Sequence, residues 1–295
     1  MVVNMGQRDL RLGGSYLDYL REANELLNDP PALRDRMEED GYLLIRGLHD
    51  TDRVRAARQV VLENLNANGQ LDPTAPLEEG VAAKGARGRF LGGRKEITRV
   101  PEFLALVESP QIMGFFEQFL DGPVLTYDYK WLRAIGPGDN SGAHYDIVYM
   151  GRGTQNVYTV WTPLGDVPLE MGPLAVLAGS HRFERIKETY GTMDVDRDHV
   201  TGAFSNDPVE LVDRYGGQWQ TSTFATGDVV IFGMFTMHGS LNNVTNRFRL
   251  STDTRYQLAT EPVDERWMGD DPIAHYAWMK GETVTMEEAR AKWGV

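Results

Sequence analysis

His144 and Asp146 stand two residues apart and His238 follows far downstream, so a fold that uses all three must bring distant strands together. Side chains on a strand alternate with period two, which would turn His144 and Asp146 to the same side. A second imidazole from a distant strand completes two nitrogens and one carboxylate on one face of a metal, leaving the other face open. That donor set suits non-heme Fe(II). Arg249, eleven residues beyond His238, adds a cation able to grip a co-substrate carboxylate through two hydrogen bonds. The constellation reads as an oxygenase that uses iron and a 2-oxo acid.

Composition removes several other classes. The 295 residues are 41% hydrophobic and 25% charged, as in an ordinary folded protein. A net charge of −13 disfavours nucleic acid and anionic membrane surfaces as partners. The absence of cysteine excludes disulfides, thiolate metal sites and a cysteine nucleophile. No run approaches the roughly 20 apolar residues of a membrane span, and the N-terminus lacks the apolar core of a signal peptide. A cytoplasmic location is expected.

Along the chain, Tyr16, Tyr19, Leu20, Ala23, Leu26 and Leu27 recur at helical spacing and predict a helix over 15–28. Asp29-Pro30-Pro31 breaks it and starts another. A short strand is expected over 41–48, an amphipathic helix over 51–65, a long glycine-rich loop over 68–98, and two helices over 101–120. Turn residues then separate expected strands at 123–135, 156–164, 172–178, 227–233 and 248–258. The polar interval 181–220 reads as an insertion across a barrel mouth, and Thr285 with Glu288 as a capping box opening a last helix. The expected fold is mainly β with flanking helices, one domain over 1–295. A helical part covers about 1–120, a double-sheet jelly roll about 123–258, and a helical tail 259–295.

His238 closes an apolar strand and is followed by Gly239-Ser240. In the next segment Arg247, Arg249, Ser251, Asp253 and Arg255 share one face, while Phe248, Leu250, Thr252 and Thr254 share the other. Pairing of consecutive antiparallel strands would set Arg249 beside the metal. His49, His181, His199 and His275 compete for the third ligand position, but none has an arginine-bearing strand after it.

These residues carry a resemblance. His144-Tyr-Asp146, Trp161-Thr-Pro-Leu-Gly-Asp166, Met171-Gly172-Pro173-Leu174, Gly179-Ser180-His181, Gly227-Asp228, His238-Gly239-Ser240 and Arg249-x-Ser251 resemble, in order, the phytanoyl-CoA dioxygenase family. The resemblance implies a double-stranded β-helix, with Fe(II) held by His144, Asp146 and His238. It implies 2-oxoglutarate anchored by Arg249 with help from Ser251, and dioxygen as the remaining reactant. The implied reaction hydroxylates an aliphatic C–H bond of a small molecule and releases succinate and carbon dioxide. Where many relatives have Trp-His-Gln-Asp, this chain has Ala143-His144-Tyr145-Asp146, which changes the pocket wall beside the ligands. Related halogenases have a small residue at the carboxylate position, so Asp146 disfavours halogenation.

Trp161 reads as a wall of the co-substrate pocket or as an ordinary core tryptophan, and Lys130 and Tyr127 as candidate contacts to co-substrate or substrate. Lys84, Arg87, Arg89, Arg94 and Lys95 form a basic cluster in an acidic chain. It is either a solvated loop or a lid that recruits an anionic substrate. Three other readings stay open at this point: a zinc hydrolase using the same three ligands, a cupin-like isomerase, and a non-catalytic binding protein of the same fold.

Overall fold

In the computed structural model, described for residues 1–275 and 281–295, the chain opens with a hairpin of β1 (Val2–Met5) and β2 (Arg8–Arg11), followed by β3 (Leu17–Tyr19). Then come α1 (Pro30–Asp40), β4 (Tyr42–Ile45), α2 (Thr51–Ala67), β5 (Arg89–Phe90), α3 (Lys95–Thr98), α4 (Pro101–Val107) and α5 (Pro110–Leu120). Strands β6 (Val124–Thr126) and β7 (Trp131–Ile135) lead through α6 (Ile147–Met150) to β8 (Tyr158–Pro163) and β9 (Leu174–Ala178). The insertion holds α7 (Glu184–Glu188), α8 (Val195–Asp198), β10 (Val200–Thr201) and α9 (Pro208–Tyr215). Strands β11 (Gln218–Thr221), β12 (Val229–Gly233), β13 (His238–Ser240) and β14 (Arg249–Leu258) complete the core, and β15 (Val284–Thr285) precedes α10 (Met286–Trp293).

Two sheets face each other. The larger runs β4-β12-β8-β14-β7-β5, with β6 also pairing β14, and the smaller runs β13-β9-β11-β3. Period-two alternation sorts their side chains. Outward-facing Leu132, Ala134 and Leu250 pack with α2 and α4, while Leu43, Ile45, Val229 and Ile231 pack with α1 and α5. Inward, Tyr42, Leu44, Trp161 and Phe232 meet Leu174 and Val176 of the smaller sheet. This is the jelly roll expected from the strand spacing.

Local signals set several boundaries. The Asp29 side chain caps α1 by accepting from Ala32 N at 3.1 Å, with proline in the first turn. Gly41 ends it at φ 82, and a Cβ there would lie 2.3 Å from His181 Nδ1, so only glycine fits. The capping box of Thr285 and Glu288 is present at α10.

Other expectations are corrected. Residues 15–28 form no long helix: β3 pairs parallel with β11, Leu17 opposite Trp219, and only Asn24–Leu26 make a 3-10 turn. Pairing at the edge of the smaller sheet and burial of Leu17, Leu20 and Ala23 override helix propensity. The strand expected over 123–135 is two strands, β6 and β7. The insertion is not all mouth-crossing, because β11 is a full member of the smaller sheet. Among its described residues the C-terminal tail is helical at α10 and in a 3-10 turn at Glu265–Trp267, and its part over 276–280 lies outside the described residues.

The long loop is pinned at two places along its length. Ala82 N donates to Asn246 O and Phe248 N to Gly80 O, each at 2.9 Å, while β5 joins the sheet edge beside β7.

Candidate active site

His144 and His238 are held opposite each other by an isolated antiparallel bridge. His144 N donates to His238 O at 3.0 Å, and His238 N to His144 O at 3.1 Å. Gly239 allows that approach, because a Cβ there would lie 2.8 Å from Ser141 O. The expected continuous strand through His144 and Asp146 is absent: Asp146 already has helical angles and caps α6. The turn of α6, rather than strand alternation, aims its carboxylate at the imidazoles.

Each imidazole has its Nδ1 next to a backbone carbonyl, His144 at 2.9 Å from Gly142 O and His238 at 3.0 Å from Thr236 O. Donation from Nδ1–H leaves both Nε2 lone pairs free to ligate. Asp146 Oδ1 lies 3.9 Å from His144 Nε2 and 3.8 Å from His238 Nε2. Its other oxygen accepts from Thr159 Oγ1 at 2.5 Å and from Arg255 Nη2 at 3.0 Å. Oδ1 is therefore the oxygen left for an ion. One atom from each of the three residues falls within 4.8 Å of the others, a spacing that a single metal ion can bridge.

The electrostatics favour the ligating forms. Burial, aided by His238, pushes the His144 imidazole down to about 3, and burial lowers His238 as well. Burial alone would raise Asp146, but Arg255, the two imidazoles and the Thr159 hydroxyl outweigh it and hold the carboxylate below its usual range. At neutral pH the cluster is two neutral imidazoles and one carboxylate, the state a divalent cation requires.

Arg249 lies inside the barrel, but not by the expected route. Strand β13 pairs with β9 in the smaller sheet, whereas β14 runs between β7 and β8 in the larger one. Arg249 thus enters from the sheet opposite His238. It is 1% exposed, donates to Ser251 Oγ at 2.5 Å, and stands 5.7 Å from the Trp161 ring. Its Nε has no hydrogen-bond partner among the described residues, and burial without a close anion lowers the guanidinium to about 10. A sealed cation with unspent donors is the chemistry of a site for a carboxylate. Trp161 is both a core residue, packed edge-on against Phe224, and a wall beside that cation.

Lys130 is corrected. It stands just before β7, where its Nζ donates to Tyr127 O at 2.6 Å and pairs with Glu108 at 3.1 Å. Engaged there and outside the cavity lining, it ties the start of β7 to the end of α4. Tyr127 is fully buried among core residues.

A cavity of 670 Å³ opens beside His144 and Asp146. Phe90, Trp131, Ile135, Tyr149 and Met150 give it apolar walls, and Arg133, Arg255 and His275 also line it. From the glycine-rich loop, Gly88 and Phe90 reach this cavity. Lys84 and Arg87 are exposed, Lys95 pairs with Asp271, and the Arg89 side chain lies outside the described residues. Sequence reasoning did not assign Thr159, Arg133, Tyr149 or the Arg255–Asp146 pair. Only Arg255 left a signal, through its shared face with Arg249.

Comparison with known proteins agrees with this geometry. A sequence model of the family described as Phytanoyl-CoA dioxygenase (PhyH) matches residues 37–251. The chain is 29% identical over 260 residues to 1-deoxypentalenic acid 11-beta-hydroxylase of Streptomyces exfoliatus, covering 82% of this chain and 86% of the relative. It is 30% identical over 238 residues to L-proline trans-4-hydroxylase of Streptomyces griseoviridis, covering 76% and 85%. Among solved structures, the epimerase SnoN in complex with Fe3+, alpha ketoglutarate and nogalamycin RO matches with a TM-score of 0.56 at 21% identity, over 87% of this chain and 99% of that one. EctD from S. alaskensis with 2-oxoglutarate and 5-hydroxyectoine gives 0.54 at 21%, over 88% and 90%. Both likenesses are of fold.

Proposed function

Because the chain belongs to the phytanoyl-CoA dioxygenase family, we propose that it is an Fe(II)- and 2-oxoglutarate-dependent hydroxylase, acting as one domain on an aliphatic C–H bond of a small molecule. In this reading His144 Nε2, His238 Nε2 and Asp146 Oδ1 hold the iron, and Arg249 with Ser251 anchors the distal carboxylate of 2-oxoglutarate. The observation that carries it is the pairing of a three-donor cluster with a buried, anion-free arginine inside one barrel. When bound, iron with 2-oxoglutarate and dioxygen supplies C–H oxidation at the expense of forming succinate and carbon dioxide.

The chain's own residues provide placement. The His144–His238 bridge fixes the angle between the imidazoles, and the Gly142 and Thr236 carbonyls fix their tautomers. Arg255 and Thr159 occupy Asp146 Oδ2, so the carboxylate would hold an ion through Oδ1 alone. Trp161 covers the Arg249 guanidinium and keeps water from competing for it. The apolar walls of the cavity would hold the substrate next to the metal.

Substrates of the relatives support a small-molecule substrate: one is named for 1-deoxypentalenic acid and another for L-proline. Both are acids, which favours an anionic substrate here. A zinc hydrolase would use the same three ligands but would leave Arg249 without a partner. The test is succinate release that requires Fe(II), 2-oxoglutarate and dioxygen together, and that is lost in His238→Ala. Turnover without 2-oxoglutarate, or iron binding unchanged in His238→Ala, would refute the assignment.

A further inference from the structure

Three guanidiniums, Arg133, Arg249 and Arg255, share the metal end of the barrel with two carboxylates, Asp146 and Asp253. With both imidazoles neutral, one positive charge is in excess. A divalent cation and a doubly charged co-substrate cancel each other, so loading the site leaves that excess in place. Around this end, Asp194, Asp196 and Asp264 face two guanidiniums, Arg152 and Arg266, and Asp139 stands on the exposed rim and accepts from Gly88 N, so the wider surroundings add negative charge.

Among the three guanidiniums, one has hydrogen-bonding capacity left in the cavity. Arg249 is sealed behind Trp161. Arg255 is spent on Asp146 Oδ2 and Asp253 O, and lies 4.2 Å from the Trp131 ring centre. Arg133 differs: its Nε donates to Asp253 Oδ2 at 2.6 Å, a quarter of the side chain stays exposed (25%), and it lines the 670 Å³ cavity. Its two terminal nitrogens make no hydrogen bond among the described residues. Phe90 lies 5.5 Å from the guanidinium carbon and covers one face of the group. Access is thereby left along its edge, where the fork matches a carboxylate.

We propose that Arg133 is the specificity-determining residue of this cavity and receives a carboxylate of the substrate. The proposal rests on the hydroxylase reading above. Phe90, Trp131, Ile135 and Met150 give the rest of the molecule apolar contact, beside the polar Asn140, Ser141 and Tyr149 of the same lining.

The test is equilibrium binding to protein loaded with Fe(II) and 2-oxoglutarate without oxygen, measured by calorimetry. The probes are aliphatic monocarboxylates of graded size, beginning with cyclohexanecarboxylate, each paired with its primary amide. At least one acid should bind about tenfold or more tighter than its amide. Arg133→Lys should keep part of that preference, and Arg133→Gln should abolish it by weakening the acid and not the amide. Should Arg133→Gln fail to fold because Asp253 is left unpaired, the double variant Arg133→Gln with Asp253→Asn removes both charges and carries the same expectation. Equal binding of acids and amides by the parent protein overturns the proposal, and so does a preference that survives in these variants. Succinate release by the parent separates the two readings. If release occurs without acid preference, only the role of Arg133 fails; if Fe(II) and 2-oxoglutarate give none, the hydroxylase reading itself fails.

Discussion

Arg249 and Arg255 lie on the same face of β14 and meet different partners, one bonded to Ser251 with no ion pair and the other on Asp146. In the proposed role Arg249→Lys loses the two-pronged geometry, and the burial that already lowers the guanidinium would push a lysine close to its neutral form. The Michaelis constant for 2-oxoglutarate should rise at least about tenfold, with iron affinity in direct titration little changed. Arg255→Gln should do the reverse. It frees Asp146 Oδ2, and loss of such an outer partner typically weakens metal binding by about 10–100-fold. A titration showing parent-like iron affinity in Arg255→Gln would remove it from the positioning of Asp146. The three clustered residues were legible from the His144-x-Asp146 spacing together with the arginine-bearing strand that follows His238. The Arg255–Asp146 contact was not, because it depends on α6 turning the carboxylate back toward β14, which no period reveals.

Among the elements, short β13 and the segment through His144 carry the most exacting fit. Gly239→Ala would place a methyl 2.8 Å from Ser141 O and force the His144–His238 bridge apart. The expected result is a loss of about 1–3 kcal/mol in urea unfolding together with weaker iron binding. Gly233→Ala, at the end of β12 with open space around its missing Cβ, should stay within about 0.5 kcal/mol of the parent. The long strands and capped helices could be read from alternation and turn residues, as with β14 and α1. The segment at 15–28 could not, because its helical spacing of apolar residues is used instead to bury one side of an extended edge strand against β11. Lys130 failed for a related reason: it stands one residue before Trp131, and one step along an extended chain separates a cavity residue from an outer one.

For the whole molecule, acid is the condition to which this buried-histidine fold responds most directly. His49 is 4% exposed, accompanied by the Thr162 hydroxyl at 3.2 Å, and burial lowers it to about 4. The unfolded chain protonates this group at its ordinary value of 6.5 while the folded one refuses the proton. Stability should therefore fall as pH drops from about 6.5 toward 4 and level off below. Between pH 7 and pH 5 the loss from this residue is about 2 kcal/mol. Urea melts of iron-loaded protein should show that His49→Gln shrinks the acid loss by a similar amount; an unchanged pH slope would dismiss His49 as its source. The same loaded protein bears on the two-sheet arrangement. His238 hangs from the smaller sheet, while Arg249 and the partners of Asp146 hang from the larger one. An occupied centre is then a rivet through both layers, and the fluctuation that frees the ion is the one that parts them. Iron escape and amide exchange in β9 and β13 should share one rate and slow together when 2-oxoglutarate is added.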